Sequence, residues 1–325
     1  MPELVAQRDA FGEALLELGA RDERVVVLDA DLASSTKVSL FAAAYPERFF
    51  QMGVTEQNMM GVAAGLATMG FVPFTSTFAC FAAKRALDQV RISIAQPRLP
   101  VVIVGAYGSL LVGKNGKSHQ AVQDAAIMRA MPNMTVVVPG DGVEAAQAVA
   151  AVAAHGAPVY LRLTRDPCPV VFDDAYRFTI GPAVVVREGG DVTIMTTGIM
   201  LGRAVEAADA LQAEGIAAHI LHVPTLKPLD VEAIVAAAER TGLVVTAEEH
   251  TVIGGLGGAV AETLGEHRPT PMKRVGIADV YSESAPNDAL LEKYGLTSAH
   301  IAQAARALLG GATAGTESDG PRRKP

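Results

Sequence analysis

Apolar positions fall into short β-branched runs, and between them small and apolar residues recur at helical spacing. In the first half of the chain the runs predict strands over 25–29, 49–53, 72–77, 101–105, 135–138 and 159–163. The intervening stretches predict helices over 9–18, 57–69, 79–94, 121–130 and 143–154. Strand and helix alternation of this kind predicts a parallel sheet covered on both faces. A second alternating set follows, with strands over 192–197, 218–222, 243–247 and 274–277 and helices over 201–214, 231–239, 258–264 and 298–309. Pro, Asp and Gly breakers over 167–190 are expected to form the connection, with one or two additional strands. The expected fold class is therefore α/β, with two consecutive domains, each built on a mostly parallel sheet flanked by helices, over 1–180 and 181–310. Residues 311–325 are rich in Gly, Ser, Thr and Pro without apolar periodicity and are expected to be a disordered tail.

In open parallel sheets, ligands sit beyond the carboxyl ends of the strands, where loops and helix N-termini converge. Asp31, Ser34 and Ser35 follow the first strand, Glu56 the second, Phe78 and Phe81 the third, Tyr107 through His119 the fourth, and Arg165 ends the sixth. Residues with chemical capability thus gather on one rim. Glu56 lies in the run Gly53-Val54-Thr55-Glu56-Gln57-Asn58, between a strand and a small-residue helix. Such an acid can favour the positive end of the helix with Thr55 as its cap, or it can hold a proton on a bound heterocycle. The gathering of the other residues on the same rim favours the second reading. Phe78 and Phe81, three apart at a helix start, can present flat faces to one pocket, although the same spacing serves two core phenylalanines. His119 follows Gly116-Lys117-Ser118 in a loop, where it is either an exposed loop residue or a group that exchanges hydrogen bonds and protons with hydroxyls. Arg8 is either a solvated residue near a helix start or an anion ligand.

Composition narrows the classes. The chain has 325 residues, 50% of them hydrophobic and 19% charged, which suits two well-buried domains. The net charge of −8, with Arg322-Arg323-Lys324 as the one basic cluster, argues against a nucleic-acid surface and leaves small anionic substrates open. No apolar run reaches the roughly 18 residues of a membrane span, and the N-terminus lacks the pattern of a signal peptide, so a cytoplasmic protein without membrane contact is expected. Cys80 and Cys168 offer neither a disulfide framework nor metal-ligand spacing; both are expected to be core thiols, and no metal ligands are expected.

The segments Gly53–Asn58, Thr77–Phe81, Val112–Gln120 and Tyr160–Arg165 occur in the order and approximate spacing of the transketolase family, which the chain resembles from about residue 4 to 310. The resemblance implies thiamine diphosphate as cofactor, with Glu56 bonded to N1′ of the aminopyrimidine, Phe78 and Phe81 cradling the ring and Asp31 on the cofactor side of the site. It assigns His119 to catalysis and to the substrate, and Arg165, Ser35 and Arg8 to a sugar phosphate, a task for which the planar arginine fork is suited. Lys84 stands where many full-length members carry a third aromatic. Two substrate positions depart from the family. Asn115 replaces an acid that bonds a substrate hydroxyl, and Tyr107 replaces a histidine that contacts phosphate, which implies a non-standard substrate.

Thiamine diphosphate also needs Mg²⁺ and a diphosphate cradle, which in this family is a Gly-Asp-Gly triplet followed by an Asn-Asn pair. Gly140-Asp141-Gly142 is present, but the matching downstream region reads Asp166-Pro167-Cys168-Pro169, so the triplet is expected to be a strand-to-helix turn with Asp141 as cap. Gly254-Gly255-Leu256-Gly257-Gly258 lacks a complete dinucleotide fingerprint, and Glu248-Glu249-His250 just upstream disfavours a pyrophosphate, so packing is expected there. The resemblance therefore extends to the pyrimidine-binding and C-terminal domains. It implies the C-terminal subunit of a split transketolase whose N-terminal partner brings the diphosphate-binding domain and the Mg²⁺ ligands, in an α2β2 heterotetramer. The implied reaction moves a two-carbon ketol unit from a ketose phosphate to an aldehyde-type acceptor. A 2-oxoacid dehydrogenase decarboxylase β-subunit and a deoxyxylulose phosphate synthase-like enzyme are the enzymatic alternatives, and a non-catalytic scaffold is the third. Ser118-His119-Gln120 and Arg165 favour transketolase, while Glu56 and the phenylalanine pair disfavour a scaffold.

Overall fold

The structure is a computed structural model that describes residues 3–173 and 175–316. Seven strands form the first sheet, in the order Thr225–Lys227, Thr135–Val137, Val159–Arg162, Val102–Ala106, Val72–Phe78, Val25–Asp29 and Phe49–Gln51. All neighbours are parallel except the edge strand Thr225–Lys227. The central strands are buried along their whole length, as expected for β-branched runs covered by helices on both faces. On one face Phe11 and Leu15 of the helix Gln7–Arg21 pack with Phe41, Phe74 and Val104. On the other, Met59, Met60 and Ala63 of the helix Glu56–Thr68 pack with Ile103 and Ala106. Gly19 permits the first packing, since a Cβ there would meet the Phe41 ring at 2.6 Å.

The second sheet has five strands, in the order Met272–Ile277, Val244–Thr251, Val192–Thr196, Ala218–His222 and Val184–Arg187, with only the last antiparallel to its neighbour. The helices Met200–Gln212, Val231–Thr241, Leu256–His267 and Ser298–Thr316 cover it. The α/β class and the two mostly parallel sheets agree with the sequence expectation. Among the described residues of 167–190 there are two strands: Pro167–Pro169, paired with Leu4–Ala6, and Val184–Arg187.

Several local features differ from expectation. Thr225–Lys227 leaves the second half of the chain to close the edge of the first sheet, and Lys227 Nζ donates to the carbonyls of Arg129 at 3.0 Å and Met131 at 2.6 Å. The helix expected over 79–94 is wound in wide, i→i+5 turns over Phe81–Arg85 and Val90–Ala95. The helix expected from 121 begins at Asp124. The helix Ser298–Thr316 continues into the segment expected to be a tail; residues 317–325, with Arg322-Arg323-Lys324, lie outside the described residues.

A buried charged group joins the two halves. Arg162, at the end of a first-sheet strand, donates from Nε to Asp124 at 2.8 Å and from Nη1 to the carboxylate of Glu249, on the second sheet, at 3.1 Å. Its Nη2 donates to the carbonyls of Ala121 and Glu249 at 3.2 Å, and the Tyr160 hydroxyl donates to Asp124 at 2.7 Å.

Candidate active site

The chain leaves the edge strand Phe49–Gln51 through Gly53, whose φ of 68° lies in the left-handed region, and Glu56 opens the next helix. Thr55 does not cap that helix; its hydroxyl donates to the Met52 carbonyl at 2.7 Å. Glu56 is 1% exposed, and both its oxygens accept from Arg85 Nη1 at 2.9 Å. The Arg85 side chain is 46% exposed, and its Cζ lies 4.4 Å from the centre of the Phe81 ring. Sequence reasoning missed Arg85. Its one signal is the four-residue spacing from Phe81, which puts both on one helix face.

The predicted aromatics come together. Phe78 and Phe81 stack at 5.9 Å and 23°, Phe78 stacks on Tyr107 at 4.3 Å and 25°, and His119 meets Phe81 edge-on at 5.5 Å. His119 Nδ1 is 2.9 Å from the Ser118 hydroxyl. Tyr107, at φ 59°, stands between two arginines, with Arg8 Cζ and Arg165 Cζ each 5.6 Å from its ring centre. Arg8 Nη1 donates to the Tyr107 hydroxyl at 2.5 Å and to the Ser35 carbonyl at 3.2 Å, while its buried Nε has no hydrogen-bond partner among the described residues. Glu56, Phe78, Phe81, Tyr107, His119, Arg8, Arg165 and Ser35 therefore form one contiguous cluster, reached from Glu56 through Arg85.

Asn115 borders the cluster through Arg165, whereas Asp31 stands apart from it. Exposed Asn115 ends the short turn Gly113–Asn115 and lines, with Arg165, Lys114, Asp166 and Asn287, an open cleft of about 420 Å³. Asp31 is exposed on the same rim at φ 63°; its backbone N–H donates to Gln51 Oε1 at 3.0 Å, and its carboxylate makes no hydrogen bond or ion pair among the described residues. Asp29 organises that turn by accepting from Leu32 N–H and Gln51 Nε2 at 2.9 Å, and burial pushes its carboxyl up from the ordinary value.

A loop of the second half clasps the His119 loop. Gln120 Nε2 donates to the carbonyls of Leu110 at 3.2 Å and Glu283 at 3.1 Å, and its Oε1 accepts from the Ser282 hydroxyl. Ser284 donates to the Lys114 carbonyl, and Asn287 Nδ2 donates to the Leu111 carbonyl at 3.2 Å and to the Asp166 carboxylate. None of these second-half residues was expected from the sequence.

A buried carboxylate beside an aromatic shelf fits an amino-substituted heterocycle, and the arginines around Tyr107 fit an anionic group. The donor set for a metal–diphosphate group does not fit. Among the described residues no group of three or more His, Cys, Asp or Glu is placed to hold a metal ion. Asp141 is already engaged, accepting from the N–H groups of Glu144 at 2.9 Å, Val171 at 2.8 Å and Phe172 at 2.9 Å. At the second glycine-rich loop the Glu248 carboxylate accepts from the N–H groups of Leu256 and Gly257 at 2.8 Å, the donors an anion would need. Both loops are structural, as the sequence led us to expect. No helix of the described residues is long and apolar enough to cross a membrane.

The fold is that of a two-domain α/β protein, with a buried carboxylate, an aromatic shelf and two arginines gathered on the rim of its first sheet. Residues 3–169 match the family model described as transketolase, pyrimidine binding domain, and residues 181–301 match that of the transketolase C-terminal domain. The chain is 46% identical over 298 residues to a 6-deoxy-6-sulfo-D-fructose transketolase subunit of Clostridium sp. (strain MSTE9), covering 92% of each chain. It is 42% identical to a putative transketolase C-terminal section of Methanocaldococcus jannaschii, covering 91% of this chain and 94% of that protein. A solved split gene transketolase, an inactive β4 tetramer, superposes with a TM-score of 0.88 at 52% identity, covering 94% of this chain and 99% of that one. The chain belongs to the transketolase family, as a C-terminal transketolase subunit.

Proposed function

We propose that this subunit carries the pyrimidine and substrate half of a thiamine diphosphate-dependent ketol transfer, moving a two-carbon unit from a ketose to an aldehyde-type acceptor. The observation that carries the reading is the buried Glu56 carboxylate beside the Phe78–Phe81 shelf, on the rim that also holds Tyr107, Arg8 and Arg165. Thiamine diphosphate, when bound, supplies the electron sink for breaking and making the carbon–carbon bond. Glu56 holds a proton at N1′ of the aminopyrimidine, Phe78 and Phe81 orient the ring and exclude water, and Asp31 completes the cofactor side. His119 hydrogen-bonds the substrate hydroxyls and moves protons there. Arg165 and Arg8, with Ser35 and Tyr107, hold the terminal anion of the sugar, and Asn115 lines its approach.

The diphosphate and Mg²⁺ ligands come from an N-terminal partner subunit in an α2β2 assembly in the cytoplasm; the engagement of the Asp141 carboxylate by three backbone N–H groups of its own chain supports that division. Within this chain, residues 1–180 serve the cofactor ring and substrate, and 181–310 hold the His119 loop. The substrate departs from ordinary pentose phosphates, because Tyr107 offers a hydroxyl already bonded to Arg8 instead of a cation, and Asn115 an amide instead of a carboxylate. The relative named for 6-deoxy-6-sulfo-D-fructose supports a donor ending in a tetrahedral anion other than phosphate.

Calorimetry on this chain alone is expected to show little thiamine diphosphate binding, and addition of the N-terminal subunit to restore it. Tight, Mg²⁺-dependent binding to the isolated chain sinks the split arrangement. In the assembled enzyme, Tyr107→His with Asn115→Asp is expected to raise kcat/KM for phosphorylated pentose donors about ten- to a hundredfold. Wild-type pentose phosphate activity at full efficiency, unchanged by the reversion, sinks the substrate reading.

A further inference from the structure

Arg85 makes two contacts at once. Its Nη1 donates to both oxygens of Glu56 at 2.9 Å, and its guanidinium carbon lies 4.4 Å over the Phe81 ring. A hydrogen bond to the buried carboxylate and a stack on the aromatic shelf are the contacts that the proposed function assigns to the aminopyrimidine. A guanidinium is itself planar and rich in N–H donors, so it satisfies the same two demands. The rest of the shelf is taken up within the chain: Phe78 stacks on Tyr107 at 4.3 Å, and His119 meets Phe81 edge-on at 5.5 Å. Ring and guanidinium therefore compete for one carboxylate and one aromatic face.

The surroundings allow the guanidinium to leave. Arg85 is 46% exposed, and Glu56 is its only hydrogen-bond or ion-pair partner among the described residues. Glu56, 1% exposed, would be costly to leave without a partner while the site is empty. We propose that Arg85 is an internal placeholder for the heterocycle: it occupies Glu56 and covers Phe81 in the chain without cofactor, and cofactor binding displaces it into solvent. The inference rests on the thiamine reading of Glu56. Its energetic consequence is that apparent cofactor affinity is reduced by the fraction of molecules in which the guanidinium is seated.

The test uses the chain assembled with its N-terminal subunit. Thiamine diphosphate is titrated by calorimetry at fixed Mg²⁺, and its association rate is followed by stopped flow, for wild type, Arg85→Ala and Arg85→Gln. Both variants are expected to bind about three- to tenfold more tightly and to associate faster than wild type. Arg85→Gln keeps a polar side chain but is neutral and too short to place a donor where Nη1 stands, so it reads out the same competition if Arg85→Ala folds poorly, with folding checked by circular dichroism. Unchanged or weaker binding in the folded variants, with wild type binding normally, overturns the placeholder and leaves the thiamine reading standing. Failure of the wild-type assembly to bind thiamine diphosphate at all overturns both.

Discussion

Arg85 and Arg162, both in the first half of this chain, hold carboxylates that are equally buried: the side chains of Glu56, Asp124 and Glu249 are all 1% exposed. The arginines differ. Arg162 is 2% exposed and spends Nε, Nη1 and Nη2 on two carboxylates and two carbonyls, whereas Arg85 is 46% exposed and engages one carboxylate through one nitrogen. A charge enclosed on every side by its own chain holds structure, here by tying a strand of the first sheet to Glu249 of the second. A buried carboxylate whose one partner faces solvent is open to exchange, and exchange is what a binding site requires. Burial of charge alone does not tell the two apart; the exposure of the partner does.

The enclosed group is also internally unequal. Burial pushes Glu249 up to about 7 although Arg162 and Arg203 pull it down. For Asp124 burial acts in the same direction, but Arg162, His250 and the Tyr160 hydroxyl together outweigh it, and its carboxyl is lowered. Asp124 thus remains the charged partner, while Glu249 is the member that takes up a proton.

The comparison breaks most visibly at Glu56. In the assembled enzyme Glu56→Gln is expected to lower turnover about 100- to 10,000-fold while the melting curve stays near that of wild type, because the amide keeps the shape and loses the proton chemistry. Wild-type turnover in this variant ends the assignment of Glu56. Arg162→Met is the opposite case: removing the shared cation leaves two buried carboxylates without it, and denaturant unfolding is expected to show a loss of about 3–5 kcal/mol. A loss below about 1 kcal/mol contradicts the structural role of the group.

Folded Glu249 keeps a proton that the unfolded chain releases near the ordinary 4.5, so this residue's contribution to stability is present below that value and is lost as pH rises to about 7. The whole span corresponds to at most about 3 kcal/mol. Glu249→Gln is expected to flatten the fall in melting temperature across that window, and an unchanged slope rejects the assignment. The smallest effect is expected at the clasp. Asn287→Ala removes the donor to Asp166 and to the Leu111 carbonyl and is expected to cost about 1 kcal/mol in stability. Because the clasp holds the loop before His119, KM should rise more than kcat falls; an equal fall in kcat and kcat/KM would instead place Asn287 in the reaction itself.

The sheet strands were legible because each is a short apolar run set off from its neighbours by helical spacing, and Val25–Asp29, Val72–Phe78 and Val192–Thr196 lie within a residue or two of expectation. Thr225–Lys227 was not: three residues paired to a strand some ninety positions earlier carry no periodicity of their own. The site divides in the same way. Glu56, Phe78, Phe81, Tyr107, His119 and Arg165 could be placed on one rim because rim position follows from strand order. Arg85, beside Lys84 on a helix, reads as an ordinary surface cation, and Ser282–Asn287 read as a polar loop.

Local patterning, then, determined the α/β class, the alternation of elements and the rim to which the reactive residues belong, since hydrophobic period and strand ends are properties of short segments. Only the tertiary structure decided which charges meet. Arg162 finds Glu249 across 87 residues and Arg85 finds Glu56 across 29, and no spacing rule reaches over such distances. The same holds for burial: the sequence shows an acid at each place, but only the packed chain closes over Arg162 and leaves Arg85 half in water, so that one buried carboxylate has an enclosed partner and the other a partner within reach of solvent.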